Sequence, residues 1–230
     1  MVAIVTIDGP SGTGKGTLSR RLAQQWGWRY LDSGAVYRAL GLAVARAGIA
    51  FDDEPAITAL ALTLPLQFKS QRNDDVRVLL AGDDVSRDIR TEQGAARASE
   101  IAQLPRVRDA LLAWQRCFAV APGLVADGRD MGTVVFPQAA AKVFLTASAP
   151  ERARRRYRQL LAKGVTASIP LLTVDIETRD RRDQTRAASP LVAADDALTL
   201  DSTALSAEQV FDQVMRYVHA RLPSLPAPGV

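Results

Sequence analysis

The sequence predicts an α/β protein in which a parallel sheet is flanked by helices on both faces, with a small antiparallel β insert and a short helical segment beyond the core. Three observations point there. Short apolar runs ending in Asp-Gly or Asp-Ser alternate with amphipathic helical segments. A glycine-rich loop joins the first apolar run to the first helix. A stretch from about 64 to 89 alternates apolar and polar residues between turn signals, the period of a half-exposed antiparallel sheet. With 230 residues the chain is long enough for one full core and an insertion.

Ala3 to Ile7 is β-rich and ends at Asp8-Gly9; it lacks the charged region and cleavage site of a signal peptide. The helix predicted from Lys15 to Gln25 carries Leu18, Leu22 and Trp26 on one face, and a second from Ser33 carries Val36, Leu40 and Val44 and stops near Gly48. In the insert, Leu66, Phe68, Val76, Val78, Leu80 and Val85 alternate with polar residues, with turns at Asn73-Asp74 and Gly82-Asp83. Helices over about 91–103 and 106–120 are separated by Pro105. Leu124 to Ala126, Lys142 to Leu145 and Leu198 to Leu200 read as strands. Ser148, with Pro150 and Glu151 following, starts a helix over 151–163, and another spans about 171–184. Ser206 and Gln209 form a capping box for the last helix, which runs to about Leu222 before a Pro-rich tail. Asp8-Gly9, Asp127-Gly128 and Asp201-Ser202 all fall at the carboxyl ends of strands, where ligands bind in such sheets.

Composition narrows the function classes. No apolar run reaches the length of a membrane span, so no membrane partner is expected. The single Cys117 excludes an intramolecular disulfide and fits a reducing cytoplasm; flanked by Trp114 and Phe118 at helical spacing, it reads as a packing residue. His219 reads as a surface residue. The net charge is +4, and the arginines crowd two segments, Arg152 to Arg158 and Arg179 to Arg186. A basic nucleic-acid-binding module is one account of them. It would need a recognition helix, zinc ligands or an aromatic platform, none of which is evident, so nucleic acid is not expected as a partner and a monomer is. Contact with a small polyanion is the other account.

The strongest motif is Gly9-Pro10-Ser11-Gly12-Thr13-Gly14-Lys15-Gly16-Thr17, lying between a strand and a helix. Gly9, Gly12, Gly14 and Gly16 let the backbone curl so that its N–H groups, with those of Ser11 and Thr13, face phosphate oxygens, and the helix N-terminus adds positive potential. Lys15 reaches the β- and γ-phosphates of ATP, and the Thr17 hydroxyl is placed for Mg²⁺. Gly16 separates Lys15 from Thr17, a variant of the common pattern seen in nucleoside monophosphate kinases. No Asn-Lys-x-Asp motif for reading guanine occurs. A phosphate acceptor with a second pKa of about 6 is already largely ionised at neutral pH and needs no general base. It needs charge neutralisation and a lid that excludes water, for which two arginine clusters suit. A kinase of another small metabolite, such as shikimate or dephospho-coenzyme A, shares the phosphate loop but needs a different acceptor pocket.

The runs Ile7 to Thr17, Leu31-Asp32-Ser33-Gly34-Ala35-Val36-Tyr37-Arg38, Ile89-Arg90-Thr91, Pro105-Arg106-Val107-Arg108, Ala126-Asp127-Gly128-Arg129-Asp130-Met131-Gly132-Thr133-Val134-Val135-Phe136-Pro137, Arg179 to Arg186, Ser189-Pro190-Leu191 and Leu200-Asp201-Ser202-Thr203 together resemble the bacterial cytidylate kinases over nearly the whole chain. The resemblance implies a P-loop kinase core at 1–38, 94–150 and 167–222, a monophosphate-binding region with its antiparallel β insert at 39–93 and a short helical lid at 151–166; the Pro-rich end, 223–230, reads as a disordered tail. It implies ATP as donor, CMP and dCMP as acceptors, and Mg²⁺. Ser99, Arg108 and Asp130 match positions that hold the cytosine, Arg38, Arg129 and Arg186 those that hold the monophosphate, and Arg179 and Asp183 those near the sugar. Ser33 is a further CMP candidate. Lid arginines among Arg154, Arg155 and Arg156 would close on the ATP phosphates. Lys15, Arg129 and Arg186 are the candidate catalytic residues, and Asp127 would hold the metal through water, beside Thr17.

Cytosine offers a donor amine where uracil offers an acceptor, so uracil facing Asp130 opposes two acceptors, at a cost of about 1–3 kcal/mol when buried. Asp130→Ala is therefore expected to lower the CMP-over-UMP ratio of kcat/KM more than it lowers turnover. Equal losses on both substrates in steady-state assays would remove Asp130 from base selection.

Overall fold

The computed structural model describes residues 2–70, 76–162, 164–185 and 189–225. The turn expected at Asn73-Asp74, the phosphate residue expected at Arg186 and the end of the expected tail, 226–230, lie outside the described residues. The chain divides into two compact units, Met1–Tyr30 with Ala119–Val230, and Leu31–Phe118.

The first unit is built on strands β1 (Ala3–Asp8), β6 (Gly123–Gly128), β7 (Ala141–Thr146) and β8 (Leu198–Asp201), with β2 (Arg29–Asp32) completing a sheet of order β2-β6-β1-β7-β8. β1 pairs in parallel with β6 and β7, and β7 with β8. The register sets Ile7 opposite Asp127, Asp8 opposite Gly128 and Phe144, and Thr146 opposite Asp201, so the acidic strand ends fall at one edge. Helices α1 (Lys15–Trp26), α6 (Ala149–Leu161), α7 (Ile169–Thr185) and α8 (Ala207–Arg221) complete the unit. Leu18 and Leu22 of α1 share a buried cluster with Val5, Ile7, Val125, Val143 and Leu145 of the sheet and with Phe211, Val214, Met215 and Val218 of α8. Each fully buried side chain of this size is worth about 1.5–3 kcal/mol, so the cluster, more than helix propensity, places the start of α1 at the sheet edge.

The sequence expectations for capping hold. Ser206 accepts from the Gln209 N–H, and the Gln209 side chain accepts from the Ser206 N–H, as the capping box requires. Ser148 caps α6 by accepting from the Glu151 N–H. Leu222 and Leu225, beyond α8, pack against the core. His219 is only half exposed, and its Nε2 is buried, unlike the surface residue expected.

The second unit contains α2 (Ser33–Arg46), α3 (Glu54–Leu62), strands β3 (Leu66–Ser70), β4 (Val76–Leu80) and β5 (Asp83–Asp84), a 3₁₀ turn (Asp88–Arg90), α4 (Glu92–Ile101) and α5 (Pro105–Arg116). The three strands form the expected antiparallel sheet in the order β3-β4-β5. Helix α3 and strand β2 are additions to the sequence reading. Asp53 caps α3 by accepting from the Ala56 N–H, with a proline in the first turn, and Glu54 Oε1 accepts from the Arg106 N–H at 2.8 Å. Cys117 is exposed, which corrects the packing role expected for it. Trp114 and Phe118 instead turn toward Phe68 of β3, with ring centroids 6.1 and 5.8 Å away, and leave the intervening thiol on the outer side. No helix among the described residues is long and apolar enough to cross a membrane.

Gly123 begins β6, where a Cβ would lie 2.3 Å from the Trp28 ring. Trp28 itself packs against Trp26, with ring centroids 5.0 Å apart. Gly123→Ala should therefore lower the urea-unfolding free energy by about 1–3 kcal/mol, with a shift in tryptophan emission. Unchanged stability and emission would show that this contact is loose.

Candidate active site

The phosphate loop leaves the sheet at Asp8 and enters α1 at Lys15. Gly9 has φ of 145°, and a Cβ there would sit 2.1 Å from the Leu145 carbonyl oxygen; only glycine fits this approach of β1's end to β7. Gly14, the residue before α1, is left-handed and supplies no side-chain cap, so no capping side chain covers the N-terminus of the helix. The loop is braced from outside. The Ser11 carbonyl accepts from Arg152 Nη1 at 3.1 Å, and the Thr13 carbonyl accepts from Arg155 Nη1 at 3.1 Å and from Ser202 Oγ at 3.3 Å. Inside the loop, Thr13 Oγ1 and Lys15 Nζ both donate to the Pro10 carbonyl, at 3.2 and 3.1 Å. Lys15 and Thr13 are buried and Thr17 is exposed.

The arginines of α6 separate by face. Arg152 is buried and also donates to the Ala147 carbonyl at 2.8 Å and to both carboxylate oxygens of Asp180 on α7. Arg155 donates to the Ser202 carbonyl and to Glu151. Arg154 is exposed beside Glu151, and Arg156 is half exposed with Nη1 donating to Gln159. A cavity of about 310 Å³ opens beside the loop; its walls include Thr13, Gly14, Thr17, Leu18, Arg155 and Phe211. Arg21 lies 3.7 Å over the Phe211 ring and is held by a paired bond to Glu208.

Beyond β6 the chain turns sharply through a five-residue π-helical turn, Met131–Val135. Asp127 is buried at the end of β6, and its Oδ2 accepts from Tyr30 Oη at 3.2 Å. Asp130 is buried at the mouth of the turn and makes no side-chain capping bond there. Arg129 Nε donates to Asp183 Oδ2 of α7 at 2.8 Å and its Nη1 to the Gly128 carbonyl at 3.2 Å. Burial opposes the Arg129 charge, but Asp183, Asp127 and Asp180 outweigh it and raise its pKa. Arg129, Asp130 and Asp183 are thus brought together, with Arg179 half buried one turn before Asp183 on α7. Asp183, expected from the resemblance to lie near the sugar, pairs with Arg129 across the fold.

Asp8, which sequence reasoning did not single out, is buried at the end of β1. Its two carboxylate oxygens accept from the N–H groups of Met131 at 2.9 Å and Gly132 at 2.8 Å. Burial pushes its pKa up to about 7; the two N–H bonds pull it down, and the charges of Asp130 and Asp127 push it further up. Its signal in the sequence was its place at a strand end, shared with Asp127 and Asp201. Tyr30, Ser202 and the Arg152–Asp180 pair were likewise missed. Each acts through a contact distant in the chain.

In the second unit, Ser33 is the buried first residue of α2, with Asp32 capping the helix by accepting from the Ala35 N–H at 2.9 Å. Arg38 is half buried on α2. Arg108 is buried on α5, where its Nη1 donates to the Ala102 carbonyl at 3.2 Å and its guanidinium lies 5.8 Å from the Tyr37 ring centroid. Ser99 Oγ on α4 is buried, with no hydrogen-bond partner among the described residues.

Known proteins share this chain's pattern along its length. The family model for cytidylate kinase matches residues 5–220. A cytidylate kinase of Shewanella denitrificans is 54% identical over 220 residues, covering 95% of this chain and 97% of that protein. One from Vibrio cholerae is 52% identical over 219 residues, again 95% of this chain and 97% of its own length. With a P-loop at the edge of a largely parallel sheet and these matches across almost its whole length, the chain belongs to the cytidylate kinase family.

Proposed function

We propose that the chain transfers the γ-phosphoryl group of ATP to CMP or dCMP, giving ADP and CDP or dCDP. The observation that carries this reading is the braced phosphate loop lying in one unit with the Arg129–Asp130 turn. The N–H groups of Gly9 and of Ser11 to Gly16, with the Lys15 ammonium, hold the ATP phosphates, and the cavity beside Thr17 and Phe211 takes the adenosine end. Arg155 fixes the loop and, with Arg154 and Arg156, is placed on α6 to meet phosphate charge. Arg129, oriented by Asp183, holds the acceptor phosphate together with Arg186 and Arg38 and neutralises charge as the two polyanions meet. Arg179 and Asp183 face the sugar. Asp130 accepts from the cytosine amine, and Ser99 and Arg108 complete recognition of the base, with Ser33 a further contact. The unsatisfied Ser99 hydroxyl is consistent with that role. Catalysis is positioning and charge neutralisation, with no covalent intermediate.

The donor set also fits Mg²⁺. The Thr17 hydroxyl and the Asp127 carboxylate are hard oxygen donors near the loop, and this ion keeps most of its waters and phosphate oxygens when bound. When bound, it would neutralise charge on the β- and γ-phosphates; Asp127 would hold one of its waters and Thr17 its inner shell. The enzyme acts in the cytoplasm as a monomer on free nucleotides.

Two experiments test this reading. In a coupled ADP-release assay with ATP, Mg²⁺ and a panel of CMP, dCMP, UMP, AMP, GMP and shikimate, CMP and dCMP are expected to turn over well above the rest. Binding of ATP with no monophosphate turned over would keep the phosphate loop and overturn the acceptor. Asp127→Asn is expected to raise the Mg²⁺ concentration giving half-maximal rate by about ten-fold, measured by Mg²⁺ titration at fixed ATP; an unchanged midpoint would remove Asp127 from the metal site.

A further inference from the structure

We propose that Asp8 is a positioning residue for the acceptor, holding the Arg129–Val135 segment in place from the strand that launches the phosphate loop. The proposal rests on the (d)CMP kinase reading above, in which Arg129 and Asp130 contact the acceptor.

A helical turn leaves its first N–H groups without partners, and the residue at its N-terminal boundary ordinarily satisfies them with its own side chain. Here that residue is Asp130, and its carboxylate makes no such bond. Asp8 does the capping instead, from a neighbouring strand, with one oxygen to each of two successive N–H groups. The cap of this turn thus comes from another strand and not from the turn's own boundary residue. Within the turn, the Asp130 carbonyl accepts from the N–H groups of Val134 and Val135, and the Met131 carbonyl from that of Phe136. The capped segment therefore behaves as one piece.

Shape supports the same assignment. A Cβ on Gly132 would lie 2.9 Å from Thr6 Oγ1 and 3.2 Å from Lys142 Cδ, so the turn sits directly on β1 and β7. Asp8 and Gly9 are consecutive. One short stretch of backbone thus fixes the donor loop and, through two hydrogen bonds, the acceptor loop. Displacing a reacting group by about 1 Å can cost about 10²-fold in rate, which is the sensitivity such a link would serve. The burial that raises the Asp8 pKa toward neutrality makes this an expensive cap if stability were its only service.

Asp8→Asn tests the proposal. The amide keeps one acceptor but turns its NH₂ toward the second N–H, so one anchor is lost. Steady-state kinetics should show KM for CMP raised about ten-fold, with KM for ATP changed by less than about two-fold. A purely structural role would reduce the folded fraction, and with it the apparent kcat, and would leave both KM values alone; that result overturns the proposal. An equal rise in both KM values also overturns it, because the clamp would then serve the donor loop. The wild-type enzyme in the same assay keeps the two claims separate: failure of wild type to phosphorylate CMP sinks the function, not the clamp. If Asp8→Asn does not fold, Gly132→Ala pushes the same turn off Thr6 with Asp8 intact. It should raise KM for CMP alone, and unchanged KM values in that variant overturn the proposal.

Discussion

Two guanidinium groups hold the phosphate loop from its outer side, and much of the first unit's site depends on them. A loop that curls its N–H groups inward must turn carbonyls outward, and a buried carbonyl without a partner costs about 1–3 kcal/mol. Arg152 and Arg155 accept that task at Ser11 and Thr13. Arginine suits it because its rigid fork serves several acceptors at once; Arg152 alone bonds Ser11, Ala147 and Asp180. The geometry also ties the loop to α6 and α7, the helices that carry both arginine clusters. Movement of those helices would be felt at the phosphate loop through bonds to its own backbone.

The carboxylates nearby have opposite duties. Asp183 orients Arg129 and keeps it charged against the cost of burial, so that a cation is ready when a second polyanion approaches. Asp8 sits in a buried place that pushes its pKa up to about 7, and its two oxygens accept from two backbone N–H groups. Asp127, with Tyr30 on one oxygen, lies over the first turn of α1, where the helix N-terminus favours an anion. Asp8 and Asp127, at one sheet edge, repel each other, and each is given a distinct partner.

What was legible in the sequence is what depends on neighbours in the chain. The strand ends, the phosphate loop, the capping box at Ser206 and the antiparallel insert all announce themselves within a few residues, and all are present. The aromatic spacing around Cys117 was also visible, but spacing does not say which way a helix faces; the rings turn to Phe68 and the thiol does not. Arginine crowding could be counted, yet Arg152 and Arg154 occupy different faces of α6, and which of them meets Asp180 of α7 depends on how the helices pack. Asp8 was read as the end of a strand because its partners, Met131 and Gly132, lie more than a hundred residues further on.

Gly16 shows how such distant contacts write themselves into a local motif. The common phosphate loop has a hydroxyl residue directly after the lysine, and here a glycine intervenes before Thr17. A Cβ at position 16 would lie 3.0 Å from Asp127 Oδ2 and 3.6 Å from Tyr30 Oη. A carbon at 3.0 Å is tighter than nearly all real contacts, and the oxygen it meets is the one already bonded by the Tyr30 phenol, so moving it away would cost that bond. A side chain at 16 and the carboxylate at 127 therefore compete for one space. The carboxylate occupies it, and the hydroxyl is carried instead by Thr17, exposed one residue further along α1. The glycine that looks like a departure from the motif is what lets the acidic end of β6 come down onto the helix that receives the phosphates.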